Sequence, residues 1–179
     1  FLGTQGLWSG PWLTDVAGLG RDAVAGHLFL IAVSMVAGFL SMGLIAERLG
    51  RIGVKTIYVA FTGITIFNVL QAPLIFQWID VALPAWMLFG FFGTAAILSY
   101  AALSQEFPSE LTGRVITGLN VFTFGGAFLG QWGMGAIINL WPTSTGSGYA
   151  PEGYQAAFMV MAALQALSLV WFVAYRKDN

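Results

Sequence analysis

The sequence predicts an all-α fold, a polytopic transmembrane helix bundle of five full spans and one truncated span. Three observations predict it. Hydrophobic residues make up 58% of the 179 residues and charged residues 8%, with a mean hydropathy of +0.78, far from the roughly 25% charged residues of an ordinary water-soluble domain. The apolar residues fall into long stretches which, at about 20 residues per crossing, leave no room for a separate soluble domain. Lys and Arg are sorted between alternating gaps: Arg48, Arg51, Lys55, Arg114, Arg176 and Lys177 fall on one side and Arg21 alone on the other. Cytoplasmic loops hold positive charge and exported loops lose it, so the C-terminus is expected in the cytoplasm.

The first segment, 1–14, is too short to cross about 30 Å of hydrocarbon as a helix and ends at Asp15 and a turn through Gly18 and Gly20, as the exit half of a truncated span does. Phe1 lies inside this apolar run with no initiating Met or charged region ahead of it, which reads as the start of a fragment and not as a signal peptide. The second span, 24–46, is apolar throughout, and a short basic gap with Glu47, Arg48, Gly50, Arg51 and Lys55 follows it inside. The third, 56–77, and the fourth, 84–105, flank an outer gap that carries Asp80 and no Lys or Arg. Pro84 suits the first turn of the fourth, where its missing N–H has no partner to lose. The gap 106–114, with Pro108 and Gly113, returns inside; the fifth span, 115–141, leads to a Thr-, Ser-, Gly- and Pro-rich outer gap at 142–153. The last span, 154–175, ends on Arg176 and Lys177.

Aromatic rings follow the same layout. Trp12, Trp78, Trp86, Trp141, Tyr149 and Tyr154 gather near the outer face and Tyr58, Trp171 and Tyr175 near the inner one, as amphipathic rings do at headgroup depth. Trp8 and Trp132 lie deeper. The net charge of −1 and only seven Lys plus Arg exclude a clustered basic face for nucleic acid. The absence of cysteine excludes disulfides and thiolate metal sites, and no cofactor or metal is expected. There is no His-Glu-x-x-His pair, no carboxylate pair within a span and no Ser set with a His and an acid at depth, so the chain is not expected to be an enzyme.

Between the second and third spans stands Gly43-Leu44-Ile45-Ala46-Glu47-Arg48-Leu49-Gly50-Arg51-Ile52-Gly53. It resembles the loop signature of the major facilitator superfamily, Gly-x-x-x-Asp-Arg-x-Gly-Arg-Arg/Lys, at Gly43, Arg48, Gly50 and Arg51, with Glu47 in the Asp position and a departure at Ile52. In that family the signature follows the second helix and, in weaker form, the eighth. Both positions fit; the second half is favoured by the weakened motif, by Phe107-Pro108-Ser109-Glu110-Leu111-Thr112-Gly113-Arg114, which resembles the loop before the family's eleventh helix, and by the basic stop after the last crossing. Gln5-Gly6-Leu7-Trp8-Ser9-Gly10-Pro11-Trp12 resembles the outer part of a seventh helix in bacterial members. The resemblance covers essentially the whole chain and implies half of a major-facilitator-type transporter in the bacterial cytoplasmic membrane, a fragment beginning within the seventh helix. Its partners would be membrane lipid, a small-molecule substrate and the missing N-terminal half. Gly43, Glu47, Arg48, Gly50 and Arg51 would then form a conformational switch that grips the facing half in one state and releases it in the other. The alternative for Arg48 and Arg51 is an inner anchor, which requires only charge.

No Asp, Glu, Lys or Arg lies in the middle of a span, where each would cost at least about 2.5–3.5 kcal/mol, so any proton-carrying carboxylate belongs to the missing half. Uncharged polar residues form stripes instead. His27, Ser34 and Ser41 recur in the second span with Gly38 between, and Asn120, Thr123, Ala127 and Gln131 share a helical face in the fifth. The resemblance implies that these spans, the opening segment and the fourth border a central cavity, which makes Gln5, Trp8, Asn120, Thr123, Gln131 and Trp132 the substrate-path candidates. The competing reading is packing: hydroxyls can bond their own helix, tryptophans can fill space, and Gly6-x-x-x-Gly10 and Gly126-x-x-x-Gly130 allow close helix approach in lipid. Asn68, Gln71 and Gln165 fall in the two spans placed at the periphery, which fits the scheme poorly: either they face neighbouring helices or the lining spans are other than assigned. The expected function is secondary transport of a small solute by alternating access; a receptor or structural membrane module, or a membrane-embedded enzyme, are the alternatives.

Overall fold

The computed structural model describes residues 1–142 and 148–177, with side chains as far as Tyr175, and is helical with no strand among the described residues. A π-helical turn, Thr4–Trp8, runs into α1, Ser9–Asp15. The remaining helices are α2 Arg21–Arg51, α3 Thr56–Val69, α4 Ala72–Ile75, α5 Ala82–Gly93, α6 Leu98–Glu106, α7 Ser109–Ile138 and α8 Pro151–Lys177, with 3-10 turns at Ile79–Val81 and Thr94–Ile97. Among the described residues, five helical stretches are long and apolar enough to cross a membrane: Arg21–Arg51, Thr56–Ile75, Ile79–Glu106, Ser109–Ile138 and Pro151–Tyr175. They match the five full spans read from the sequence in number and order. The side chains of Arg176 and Lys177, the expected inner anchor, and residues 143–147 of the last outer gap lie outside the description.

Helix ends differ from the apolar boundaries for local reasons. Glu47, Arg48 and Arg51 belong to the last turns of α2 and not to a loop. At 1.5 Å per residue its 31 residues extend about 46 Å, well beyond about 30 Å of hydrocarbon. The helix stops where Gly53, at φ 88°, and Val54 donate their N–H groups to the carbonyls of Gly50 and Leu49, each at 3.0 Å. That closure needs a left-handed residue, which glycine adopts without a Cβ clash. The third span is not continuous over 56–77: Pro73 has no N–H to give the Val69 carbonyl, so α3 ends at Val69 and the chain resumes as α4. Gln77, at φ 56°, closes α4, and its Nε2 donates to the Pro151 carbonyl at 2.6 Å, tying the end of α4 to the start of α8. The gap expected at 106–114 narrows to Phe107 and Pro108. Phe107 is extended, as the residue before a proline prefers, and α7 begins at Ser109 and stops at Ile138.

The main core lies at the end where α1 stops and α5 and α8 start. Trp12 and Trp86 are fully buried and meet edge to face with ring centroids 5.8 Å apart. Trp86 also meets Phe89 at 5.2 Å and Phe158 at 6.0 Å, both edge-on. Trp12, Trp86 and Tyr154 are therefore core residues and not part of an outer aromatic belt, whereas Trp78 is exposed. Depth along a helix is readable from position, but the direction a ring faces depends on helix phase: Ala82, Ala85, Trp86, Phe89, Gly90 and Gly93 make one buried stripe on α5. Asp15 Oδ2 accepts from the Tyr154 hydroxyl at 2.7 Å and from the Tyr149 backbone N–H at 3.1 Å, joining the end of α1 to the start of α8. A smaller cluster of Met42, Val59, Ala60, Ala95 and Leu98 fills the opposite end.

α2 packs closely on α5 at Gly38, where a methyl group would lie 2.5 Å from the Phe91 carbonyl oxygen and 2.6 Å from Thr94 Oγ1. One turn earlier, Ser34 Oγ donates to the Met87 carbonyl at 2.6 Å. Gly126 and Gly130, by contrast, have open space where a Cβ would stand. α7 leaves Val121, Phe122, Phe128, Leu129 and Trp132 exposed, and α2 leaves Phe29, Val36 and Leu40 exposed. Contiguous apolar exposure of this kind belongs to a lipid-facing or partner-facing surface.

Candidate functional site

The expected candidates separate into two groups along α7. Asn120 and Thr123 are three residues apart on one helix face, and both reach across to α6, where the Tyr100 hydroxyl lies 2.9 Å from Asn120 Oδ1 and 3.0 Å from Thr123 Oγ1. This cluster lines a groove of about 600 Å³ whose other walls include Phe39 of α2, Thr94 and Ile97 of the 3-10 turn, and Leu119 and Phe124 of α7. The 3-10 turn follows from local chemistry. Thr94 Oγ1 donates to the Phe91 carbonyl at 2.6 Å, and the fourth span tightens beside the groove, a frequent signature of a hinge or functional position. A smaller pocket of about 280 Å³ shares Thr123 and Ala96 with the groove and extends to Thr4 and Gln165.

The second group lies about 16 Å further along α7, by the rise from Asn120 to Gln131. Trp8 Nε1 donates to the Gln131 carbonyl at 3.3 Å, and its ring meets Tyr149 and Tyr154 edge-on at 5.7 and 6.2 Å. Trp8 is 5% exposed; it fills a helix crossing and faces neither the groove nor the smaller pocket. Gln5 Oε1 is buried with no hydrogen-bond partner among the described residues. The Gln131 side chain lies against the π-helical turn, with Cγ 3.1 Å from where a methyl on Gly3 would sit. Trp132 is 67% exposed and lines neither the groove nor the smaller pocket.

The residues expected in the switch lie together at the C-terminal end of α2. Arg51 Nη2 donates to Glu47 Oε1 at 2.6 Å, one turn apart and exposed at 74% and 59%, a pair worth only about 0.3–0.5 kcal/mol in such a setting. Arg48 is exposed, and Gly43 and Gly50 have open space where a Cβ would stand. Within the described residues nothing therefore requires glycine at these two positions. Gly50 and Gly53 border a crevice of about 420 Å³ shared with Lys55, Gln105 and Glu106, which places the ends of α2 and α6 and the start of α3 together.

In the peripheral spans Asn68, Gln71 and Gln165 bond to one another and to a neighbouring helix. Gln165 Oε1 accepts from Gln71 Nε2 at 2.7 Å and Asn68 Nδ2 at 3.4 Å, while Asn68 Nδ2 also donates to the Ala162 carbonyl at 3.0 Å. These amides fasten α3 and α4 to α8. His27 Nδ1 lies 2.8 Å from the Ala23 carbonyl of its own helix. Sequence reasoning missed Tyr100. Its signal was a phenol well inside a span, six residues before Glu106, since a buried hydroxyl in an apolar layer requires a partner, and the nearest polar stripe was that of Asn120 and Thr123. Among the described residues no group of three or more His, Asp or Glu could hold a metal ion. No protein-family model, curated protein or solved structure matches this chain.

Proposed function

We propose that this chain is the C-terminal half of a major-facilitator-type secondary transporter, which moves a small solute across a bacterial cytoplasmic membrane by alternating access. The observation that carries this reading is the uncharged polar cluster of Tyr100, Asn120 and Thr123 on a groove between helices otherwise built of apolar residues. Polar groups at membrane depth are tolerated where they line a cavity or bond another helix, and this cluster does both. The groove opens beside α2 and α7, both of which leave apolar faces exposed, and a second bundle seated there would complete its walls. Rocking of the two bundles about the bound solute would expose the groove to each side in turn.

The Gly43 to Gly53 segment supports the same reading. Its resemblance to the family signature comes with an ion pair, Glu47 with Arg51, that is exposed and weak, so a partner offered by the facing bundle can compete for either residue. The open sides of Gly43 and Gly50 leave room for that approach. Glu47, Arg48 and Arg51 lie at the cytoplasmic end in this account, as does the C-terminus.

The test is transport by the full-length protein in proteoliposomes incubated with a ¹³C-labelled soluble cell extract. Solutes accumulated beyond those in empty liposomes identify the substrate. Asn120→Leu is expected to reduce that accumulation about tenfold, the loss of one or two hydrogen bonds to a solute, with the protein still in the membrane. Equal contents in protein-containing and empty liposomes, with extract placed on either side, would reject transport.

A further inference from the structure

We propose that Tyr100 is a positioning residue that turns the Asn120 amide so that its NH₂ faces the groove, and that this wall reads an uncharged part of the solute, an apolar body with a carbonyl-type oxygen. The inference rests on the groove being the solute path. A tyrosine hydroxyl has one proton and acceptor capacity on its oxygen, so a proton donated to Asn120 Oδ1 at 2.9 Å leaves the Tyr100 oxygen to accept from the Thr123 hydroxyl at 3.0 Å. Both hydroxyl protons are then used. Asn120 Oδ1 is engaged, and Asn120 Nδ2, for which the described residues supply no partner, keeps two donors on an exposed side chain at the groove.

Two features narrow the solute class. The groove wall carries donors and acceptors but no Asp, Glu, Lys, Arg or His, and its apolar surface comes from Phe39, Ile97, Leu119 and Phe124. A charged group set against this wall would lose water there, and the side chains of this half offer it no opposite charge, which is costly at low dielectric. A neutral oxygen acceptor instead meets the two Asn120 protons, and its hydrocarbon or ring body meets the apolar wall. Without the Tyr100 hydroxyl, the Asn120 amide loses the contact that distinguishes its oxygen from its nitrogen and is free to rotate.

Benzamide, benzoate and benzylammonium share one ring and differ in charge, so they serve as probes on the full-length protein in lipid nanodiscs, with empty nanodiscs as the reference for partitioning. In protein labelled with ¹⁵N at asparagine, the Asn120 side-chain resonances are assigned by their loss in Asn120→Leu. Benzamide is expected to shift them, with benzoate and benzylammonium at least about tenfold weaker. Tyr100→Phe is expected to move the free Asn120 NH₂ resonances and to weaken benzamide binding about fivefold, the loss of one orienting hydrogen bond, while the thermal transition stays close to that of the unaltered protein. Benzamide that leaves Asn120 undisturbed, binds Tyr100→Phe equally well, or binds no better than its charged analogues would overturn the inference. The transport assay fails separately. Tyr100-dependent benzamide binding without solute accumulation would keep the recognition role and reject transport, whereas accumulation that Asn120→Leu reduces and benzamide binding that Tyr100→Phe leaves unchanged would do the reverse.

Discussion

Trp86→Ala is expected to destabilise the helical bundle by about 3–5 kcal/mol, the range for removing a large buried aromatic ring. Trp86 is fully buried at the point where α1, α5 and α8 converge, with Trp12, Phe89 and Phe158 edge-on around it. Between apolar helices in lipid the association energy comes from packing and hydrogen bonds, with little hydrophobic drive, so a void here removes dispersion contacts that the surrounding rings cannot replace by moving one helix alone. Trp132 supplies the control. It is 67% exposed on α7, and Trp132→Ala is expected to change stability by no more than about 0.5 kcal/mol, as exposed substitutions do. Unfolding of both variants in mixed micelles, followed by circular dichroism, measures the difference. Equal losses would show that the Trp86 ring cluster is not the centre of packing.

Gly38→Val is expected to have an effect of similar size by the opposite route. A first added carbon at Gly38 would already lie 2.5 Å from the Phe91 carbonyl oxygen and 2.6 Å from Thr94 Oγ1, and the Phe91 contact is with backbone, which cannot yield by changing rotamer. The two remaining methyl groups force α2 away from α5, which opens the contact that Ser34 makes with the Met87 carbonyl. Overpacking of this kind costs about 1–3 kcal/mol and more where backbone must move. Gly43, five residues further along α2, has open space beside it; Gly43→Ala is expected to be neutral or to stabilise by up to about 1 kcal/mol through helix propensity. The same micelle titration measures both. A Gly38→Val protein as stable as the parent would mean that α2 and α5 do not meet at this position.

The number and order of the membrane-length helices were legible because hydropathy over a long window is insensitive to detail. α2, α7 and α8 were each recognisable from apolar runs between polar gaps. Their ends were not, because a helix ends where its backbone is capped or broken and not where its side chains become polar. The C-terminal end of α2 shows this: Glu47, Arg48 and Arg51 are charged yet helical, and the stop comes at Gly53, whose positive φ closes the last turn. Pro73 carried enough information to divide the third span at Val69, but the continuous apolar run concealed it. The site was legible in pieces. Asn120 and Thr123 could be placed on one face from their spacing alone, while the third member, Tyr100, comes from another helix through tertiary contact. Trp8 and Gln131 also share a contact, but it is a helix crossing, and nothing in their spacing separates a crossing from a cavity.

The account depends on the chain lying across a membrane with the end of α2 on the cytoplasmic side. Since these 179 residues contain no cysteine, single cysteines at two exposed positions, Thr14 in α1 and Lys55 between α2 and α3, can report sidedness, with the unsubstituted protein as the labelling background. A membrane-impermeant maleimide applied to intact spheroplasts is predicted to label Thr14→Cys at once and Lys55→Cys only after the membrane is opened. Labelling of Lys55→Cys on intact spheroplasts, or recovery of the protein in the soluble fraction, would contradict it.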